Sequence, residues 1–272
     1  MLFSVRHRTL YTYSAPVRLG GHVLRLHPRA IDVTIRSETL LIEPKPVFRA
    51  AEVDRDGNRS TRVEFEGLAD RLLIESFFEL ETCAPPPLKA AALPWRETAG
   101  FDPGQKVRAY AADLFERSGG DALLFLDALN RDLFSRTERR IRDAGYAQDP
   151  EDTLLRRKGA CRDLTLLFMA ASRSIGFSAR FVSGYQAHAE TPDGKRHLHA
   201  WPEVLLPGAG WRGYDPTHGL VVSDGHVALC AGADQLATMP VEGGFYGDGV
   251  ASTLAFELEI RATPDARDSR PR

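Results

Sequence analysis

The chain has 272 residues, long enough for one large domain or two ordinary ones, and its 43% hydrophobic content can bury a substantial core. Lys and Arg total 35 against 37 Asp and Glu, a formal net charge of -2, so no global field draws the molecule to nucleic acid or to an anionic membrane. Cys83, Cys161 and Cys230 lie far apart with no CxxC, which argues against both a disulfide framework and a zinc knuckle.

The first residues, MLFSVRHRTLYTYS, are interrupted by Arg6, His7 and Arg8 before an apolar leader core can develop. No stretch approaches membrane-spanning length, so a cytoplasmic protein without a membrane partner is expected. From residue 1 to about 82 the pattern is one of strands: LFSVRHRTLYTYS, GGHVLRLHP, TIRSETLLIEP and RLLIESFFELET are alternating, branched or aromatic, with Gly and Pro between them. Asp56, Gly57 and Asn58 supply a turn between two strand-like runs. An antiparallel β domain over 1–93 follows. The stretch TCAPPPLKAAALP, 82–94, carries three consecutive prolines that remove backbone donors, and it is the expected linker.

Beyond the prolines the period changes. PGQKVRAYAADLFERSG and GDALLFLDALNRDLFSRT have helical spacing bounded by Pro, Gly and Asp, and two helices are expected ahead of Cys161. After residue 177 strands return as SARFVSGYQ, HAWPEVLL, GWRGYDP, GHVALCAG and STLAFELEIRA. Residues 94–262 therefore read as a second domain, helices first and then an antiparallel sheet, which makes the chain α+β. The polar end, 263–272, is expected to be a disordered tail. No internal repeat is visible.

In CRDLTLLFMAASRSIGF, Leu164, Leu167, Phe168, Ala171 and Ile175 recur at three- and four-residue intervals, the mark of an amphipathic helix, and Gly176 stands where such a helix closes. Cys161 falls in its first turn. There, free amide donors and the positive end of the helix dipole favour a thiolate and could hold a developing oxyanion. Arg156, Arg157, Lys158 and Arg162 would act in the same direction, and Asp163 would oppose them if it faced the sulfur. The competing reading of Cys161 is a small hydrophobe at a helix end.

A thiolate nucleophile needs a base, and the base needs an acceptor on its other ring nitrogen. His199 opens the alternating run HAWPEVLL and Asp215 closes WRGYD, with the turn residues PGAG between. A hairpin of these two runs would put both residues at one end, on faces of matching parity, with the register left open. Pro202 lacks a donor, so an edge strand or a bulge is expected beside the histidine.

Taken together, Cys-Arg-Asp at the start of an apolar helix, then ARFVSGYQ, then HAWPEVLLPGAGWRGYDPTHGL, resemble the transglutaminase-like superfamily, and YTYSAPVRLGGHVLRLHP resembles the N-terminal β region of its bacterial members. The resemblance implies a papain-like core using a Cys-His-Asp triad, which falls on Cys161, His199 and Asp215. It departs from the family's pattern at Ala160 and Pro202 and at none of the three. It implies attack by Cys161 on a peptide or isopeptide amide, hydrolysis or transfer to an amine, and neither metal nor organic cofactor. The rival expectation is a peptide-binding module that kept the fold without turnover.

Several neighbours have two readings. Arg162 either ties the helix start to the preceding loop or neutralises an acidic substrate group. Trp201 and Tyr185 either line the cleft or belong to the core. His197 with His199 forms an HxH pair, yet no further ligand stands at metal spacing, so His197 reads as a loop residue beside the cleft. His218 reads as a solvated turn residue. Cys230 reads as a buried strand residue, while Tyr146, Trp201 and a backbone amide are unranked candidates for an oxyanion donor. Oligomeric state is not legible.

Overall fold

Side chains along the first segment alternate between interior and surface, with Phe3, Val5, His7 and Thr9 buried, and that alternation makes it one long strand. The structure is a computed structural model that describes residues 1–85, 102–142, 144–188, 191 and 193–264. In chain order the N-terminal strands are β1 (Leu2–Leu19), β2 (His22–Leu24), β3 (Val33–Glu43), β4 (Phe48–Val53), β5 (Arg59–Glu64) and β6 (Ala69–Thr82). The turn between β4 and β5 has the expected chemistry: Gly57 has φ 76, and Asp54 Oδ1 accepts from the main-chain N–H of Asp56 and of Asn58, each at 2.9 Å. Most of the expected linker and nearly all of the expected tail lie outside the described residues.

Next come α1 (Gln105–Arg117), α2 (Ala122–Arg136), β7 (Glu138–Arg139), α3 (Pro150–Arg156), β8 (Lys158–Gly159) and α4 (Cys161–Ser174). Among the described residues three helices therefore precede the cysteine, one more than expected. At seven residues α3 is too short to show a period, but its start is signalled: Asp149 caps the N–H of Glu151 at 2.8 Å, and Pro150 occupies the first turn. The remaining strands are β9 (Ala179–Gln186), β10 (His199–Leu206), β11 (Gly210–Asp215), β12 (Leu220–Val221), β13 (His226–Gly232), β14 (Val241–Glu242), β15 (Phe245–Tyr246) and β16 (Ser252–Thr263). Among the described residues no helix is long and apolar enough to cross a membrane.

The sheets are antiparallel apart from the parallel pair β7–β8. One has the order β15-β1-β6-β3 with β16 also on β1, a second β14-β2-β5-β4, and a third β12-β11-β10-β9-β13. β16 was expected with the second-half strands. Instead it pairs with β1 from Leu2↔Thr263 to Tyr13↔Ser252. The physical reason is that a strand's alternation shows which face is buried but not which free edge it joins, and β1 offered an edge beside the end of β15. A unit spanning 94–262 therefore gives its last strand to the N-terminal sheet.

β10 corrects a second expectation, because it is an interior strand between β9 and β11 and not an edge. Pro202 is tolerated there because the ladder to β11 runs only from Glu203↔Gly213 to Leu206↔Gly210, leaving Pro202 paired on the β9 side alone, opposite Phe181. All eight residues of β9 are buried. Helices supply one cover, with Phe125, Leu167, Phe168, Phe181 and Val204 in a shared core, and the N-terminal strands supply the other, where Phe78 and Leu80 share a core with Tyr185, Val227 and Leu229. That double packing fixes the strand against which His199 is aligned.

Candidate active site

The start of α4 is held by a buried carboxylate. Asp163, fully buried, accepts from the N–H of Ala160 at 2.7 Å, the N–H and side-chain amide of Gln148 at 2.8 and 2.7 Å, and Arg142 at 2.6 Å. These bonds lock the loop that leads into Cys161. Arg162 adds to this by donating to the carbonyls of Arg142 at 2.9 Å and Ala144 at 2.8 Å, the loop-tying role of its two readings. At the other end Gly176, with φ 97, lets Phe177 N–H reach the Ser172 carbonyl at 3.1 Å, closing the helix as expected. Between these two locks Leu167 and Phe168 are buried, and Cys161 is left half-buried at the first turn.

β10 brings His199 and Ala200 to that turn. Burial pushes the Cys161 thiol up, but a hydrogen bond with His199, the imidazole's charge, the N–H of Ala200 and the nearby Arg162 outweigh it and hold the thiol below its ordinary value. Of the four basic residues around Cys161, only Arg162 is among these causes. Arg156 pairs with Asp152 at 3.5 Å and Lys158 with Glu138 at 3.0 Å, which keeps those charges occupied on the surface.

His199 Nε2 donates to Asp215 Oδ2 at 2.8 Å, so the ring's other nitrogen is the one available to the sulfur. The register explains the reach. Continuing the β10–β11 pairing past Glu203↔Gly213 would set Trp201 opposite Asp215, which makes His199 its diagonal neighbour on the same face. Burial works against the imidazolium, but the Asp215 carboxylate and the thiolate overcome it and His199 is pushed up to about 10. Asp215 is fully buried. Desolvation would raise it, yet His199 and two further histidines hold it well below the ordinary carboxylate range. The arrangement favours a thiolate and an imidazolium side by side.

Those two further histidines are His218, whose Nδ1 lies 2.9 Å from Asp215 Oδ2, and His226, whose Nε2 lies 3.2 Å from the same oxygen. The main-chain N–H groups of Thr217 and His218 donate to Oδ1 at 3.0 and 3.3 Å. His218 is thus not a solvated turn residue, because the turn folds it back onto the carboxylate. His226 was missed altogether; the only signal in the sequence is a histidine opening a strand that is not adjacent to β11.

Trp201 and Tyr185 are both core residues. Trp201 is buried with Val182 and Ala231, its ring 6.0 Å from that of His199 and 5.3 Å from that of His226, and it faces a different cavity from the one over Cys161. Tyr185 is buried among the N-terminal strands, its hydroxyl 2.8 Å from His7 Nδ1. Tyr146 is exposed. Cys230 is a buried strand residue as expected, and burial pushes its thiol up to about 11. His197 sits beside the cleft with its Nε2 2.9 Å from Asp193.

The cleft over Cys161 has a volume of about 430 Å3. His7, Thr9 and Tyr11 from β1 and Leu254 and Phe256 from β16 line part of it, so the N-terminal sheet supplies a wall of the site. His199, Asp215 and His218 offer ligand atoms within 4.8 Å of one another. Both imidazoles, however, already direct a nitrogen at Oδ2 at hydrogen-bond distance, which is proton-sharing geometry and does not leave a coordination gap for a metal.

Two family models match the chain. Residues 3–81 match the bacterial transglutaminase-like N-terminal region and residues 109–216 match the transglutaminase-like superfamily. The uncharacterized protein Rv2569c of Mycobacterium tuberculosis is 28% identical over 290 residues, covering 95% of this chain and 92% of its own. The uncharacterized protein ML0607 of Mycobacterium leprae is 30% identical over 115 residues, 40% of this chain and 39% of its own. Among solved structures, a candidate cysteine protease from Cytophaga hutchinsonii aligns with a TM-score of 0.68 at 19% identity, over 98% of this chain and 92% of that one, and so shares the fold.

Proposed function

Because the chain belongs to the transglutaminase-like superfamily, a thiol-dependent enzyme family, we propose that it cleaves or transfers amides through an acyl-enzyme on Cys161. The observation that carries this reading is that Cys161 and His199 line one cleft while His199 Nε2 lies 2.8 Å from the buried Asp215 Oδ2. The thiolate attacks the carbonyl carbon, and its new S–C bond leaves an oxyanion. The N–H of Cys161, at the first position of the helix, and that of Ala200 would receive it. The C–N bond then breaks as His199 gives its proton to the departing amine. Water, or a primary amine, attacks the thioester and returns a proton to His199, and the thiolate leaves. Asp215 keeps the imidazole oriented throughout. Peptide or isopeptide hydrolysis is the favoured outcome, with transfer to an amine as the variant that differs only in the second nucleophile.

The test is alkylation by iodoacetamide. Cys161 should label rapidly below pH 7 and faster than the exposed Cys83 in the same chain, and His199→Ala should slow Cys161 by about 10-fold or more as its thiolate fraction falls. Labelling of Cys161 no faster than Cys83 would sink the enzyme reading and leave a peptide-binding module. Trapping an acylated Cys161 by mass spectrometry would then identify the substrate.

A further inference from the structure

Among the described residues β16 has a ladder on one side only, to β1, from Leu2↔Thr263 to Tyr13↔Ser252. Which of its main-chain groups that ladder uses follows from the strand ends. Met1 and Thr82 exchange both main-chain hydrogen bonds, at 3.0 and 2.9 Å, and Ser14 N–H donates to the Ala251 carbonyl at 2.9 Å. Antiparallel bonds recur at every second residue, so odd positions along β1 bond to β6 and even ones to β16. Thr253, Ala255 and Glu257, opposite Thr12, Leu10 and Arg8, therefore direct their N–H and C=O groups to β1, and Leu254, Phe256 and Leu258 turn theirs to the open edge. Such edges are normally guarded by short length, a proline or an inward charge. β16 has 12 residues and no proline, and the inward side chains of Leu254, Phe256, Leu258 and Ile260 are all apolar. Their exposure is uneven. Leu258 and Ile260 pack on the core of the N-terminal strands, whereas Leu254 and Phe256 are 57% and 39% exposed and line the cleft over Cys161 beside Tyr11, the ladder partner of Leu254. The Phe256 ring also lies 5.9 Å from that of His197, on the segment that leads into His199.

Open main-chain groups and exposed apolar side chains thus coincide on one stretch, and that stretch forms a wall of the cleft. We propose that the peptide segment bearing the attacked amide docks as an added strand on the edge of β16 at 254–258, with an apolar side chain at every second position set on Leu254 and Phe256. This rests on the reading of Cys161 as the nucleophile. Strand addition supplies affinity through main-chain bonds, and the two side chains supply the preference for alternating apolar residues. A segment inside a folded domain has its own main-chain groups paired, so the site selects extended or unfolded chain. Continuity of the edge with the cleft makes the occupant a substrate and not a second copy of this chain.

The test uses fluorescein-labelled, amidated octapeptides that alternate Thr with Val, Leu or Phe, and reads their binding to the full chain by fluorescence anisotropy, which needs no reactive thiol. At least one should bind at or below about 1 mM. N-methylation of one alternate set of its amides should weaken binding by about tenfold or more, and of the other set by less than about twofold, because only one set faces β16. Loss on methylating the apolar residues assigns an antiparallel strand, and loss on methylating the threonines a parallel one. Phe256→Pro removes an edge N–H and no β1 bond, and should weaken binding about tenfold beyond Phe256→Ala. The methylated peptides stand as the test if that variant does not fold. Bound peptide should also slow iodoacetamide at Cys161 and not at the exposed Cys83. Equal effects of the two methyl sets overturn strand addition. Fast alkylation of Cys161 with no binding by any of the peptides overturns the docking alone, whereas alkylation no faster than Cys83 overturns the nucleophile and the substrate role with it. Self-association lost in Phe256→Pro, with no protection of Cys161 by peptide, overturns the substrate in favour of a second copy.

Discussion

His226 Nε2 lies 3.2 Å from Asp215 Oδ2, although β13 and β11 are not neighbours in their sheet. Burial holds the His226 imidazole below its ordinary value, so it is a neutral ring that donates one proton to the carboxylate. His226→Phe should cost about 1–3 kcal/mol through the lost donor, seen as a lower denaturant midpoint at unchanged slope. An unchanged midpoint would show that His218 and the loop N–H groups hold Asp215 unaided.

Asp215→Asn keeps the shape and removes the charge. Activity should fall by about 10³- to 10⁴-fold as the imidazolium loses its partner. The sign of the pH dependence follows from the two shifts. Asp215 is depressed, so its contribution to stability is present above about pH 4 and fades as pH falls below that toward the folded value. His199 is raised to about 10, so its contribution is complete below about pH 6.5 and is lost as pH rises through about 10. The melting-temperature gap between the unsubstituted chain and Asp215→Asn should be widest between those limits and narrow on both sides. A gap independent of pH would refute the assignment.

Asp163 is a buried charge whose four donors have no other carboxylate among the partners described here. Asp163→Ala strands Arg142 and the amides of Ala160 and Gln148, and should destabilise by about 3–5 kcal/mol in equilibrium unfolding. It should also slow Cys161 alkylation, since the helix start loses its anchor. A stability change within about 0.5 kcal/mol would show that the loop is held by Arg162 instead.

Gly184 is paired with His199 across β9 and β10. A Cβ at that position would lie 2.2 Å from the Val227 carbonyl oxygen and 2.5 Å from the Trp201 ring, and neither backbone nor packed indole can yield cheaply. Gly184→Ala should therefore cost about 1–3 kcal/mol and lower the alkylation rate of Cys161 by moving His199. Retention of both would mean that β13 shifts without disturbing β10.

The fold class, the amphipathic helix and the hairpin that carries His199 and Asp215 were legible in advance because each is written in short-range terms: a period of two or 3.6, a Gly after the last helical residue, a turn between two runs. α3 escaped because seven residues hold under two full turns. Trp201 and Tyr185 were read as possible walls of the cleft because both stand near site residues in sequence. Trp201 does share the face of His199, but it packs with Val182 and Ala231 against a different cavity, and the packed N-terminal sheet took Tyr185 into its own core.

The sequence by itself determined that a cysteine opens a helix, that a histidine and an aspartate share one hairpin, and that an all-strand segment precedes them. Only the tertiary structure decided that β16 closes onto β1, that this sheet forms a wall of the cleft, that His218 and His226 converge on Asp215, and that arginines from separate segments line one cavity. The reason is physical. Periodicity and capping are set by residues within a turn or two of each other, whereas the choice among open strand edges and the gathering of distant charges depend on how all the buried faces pack at once.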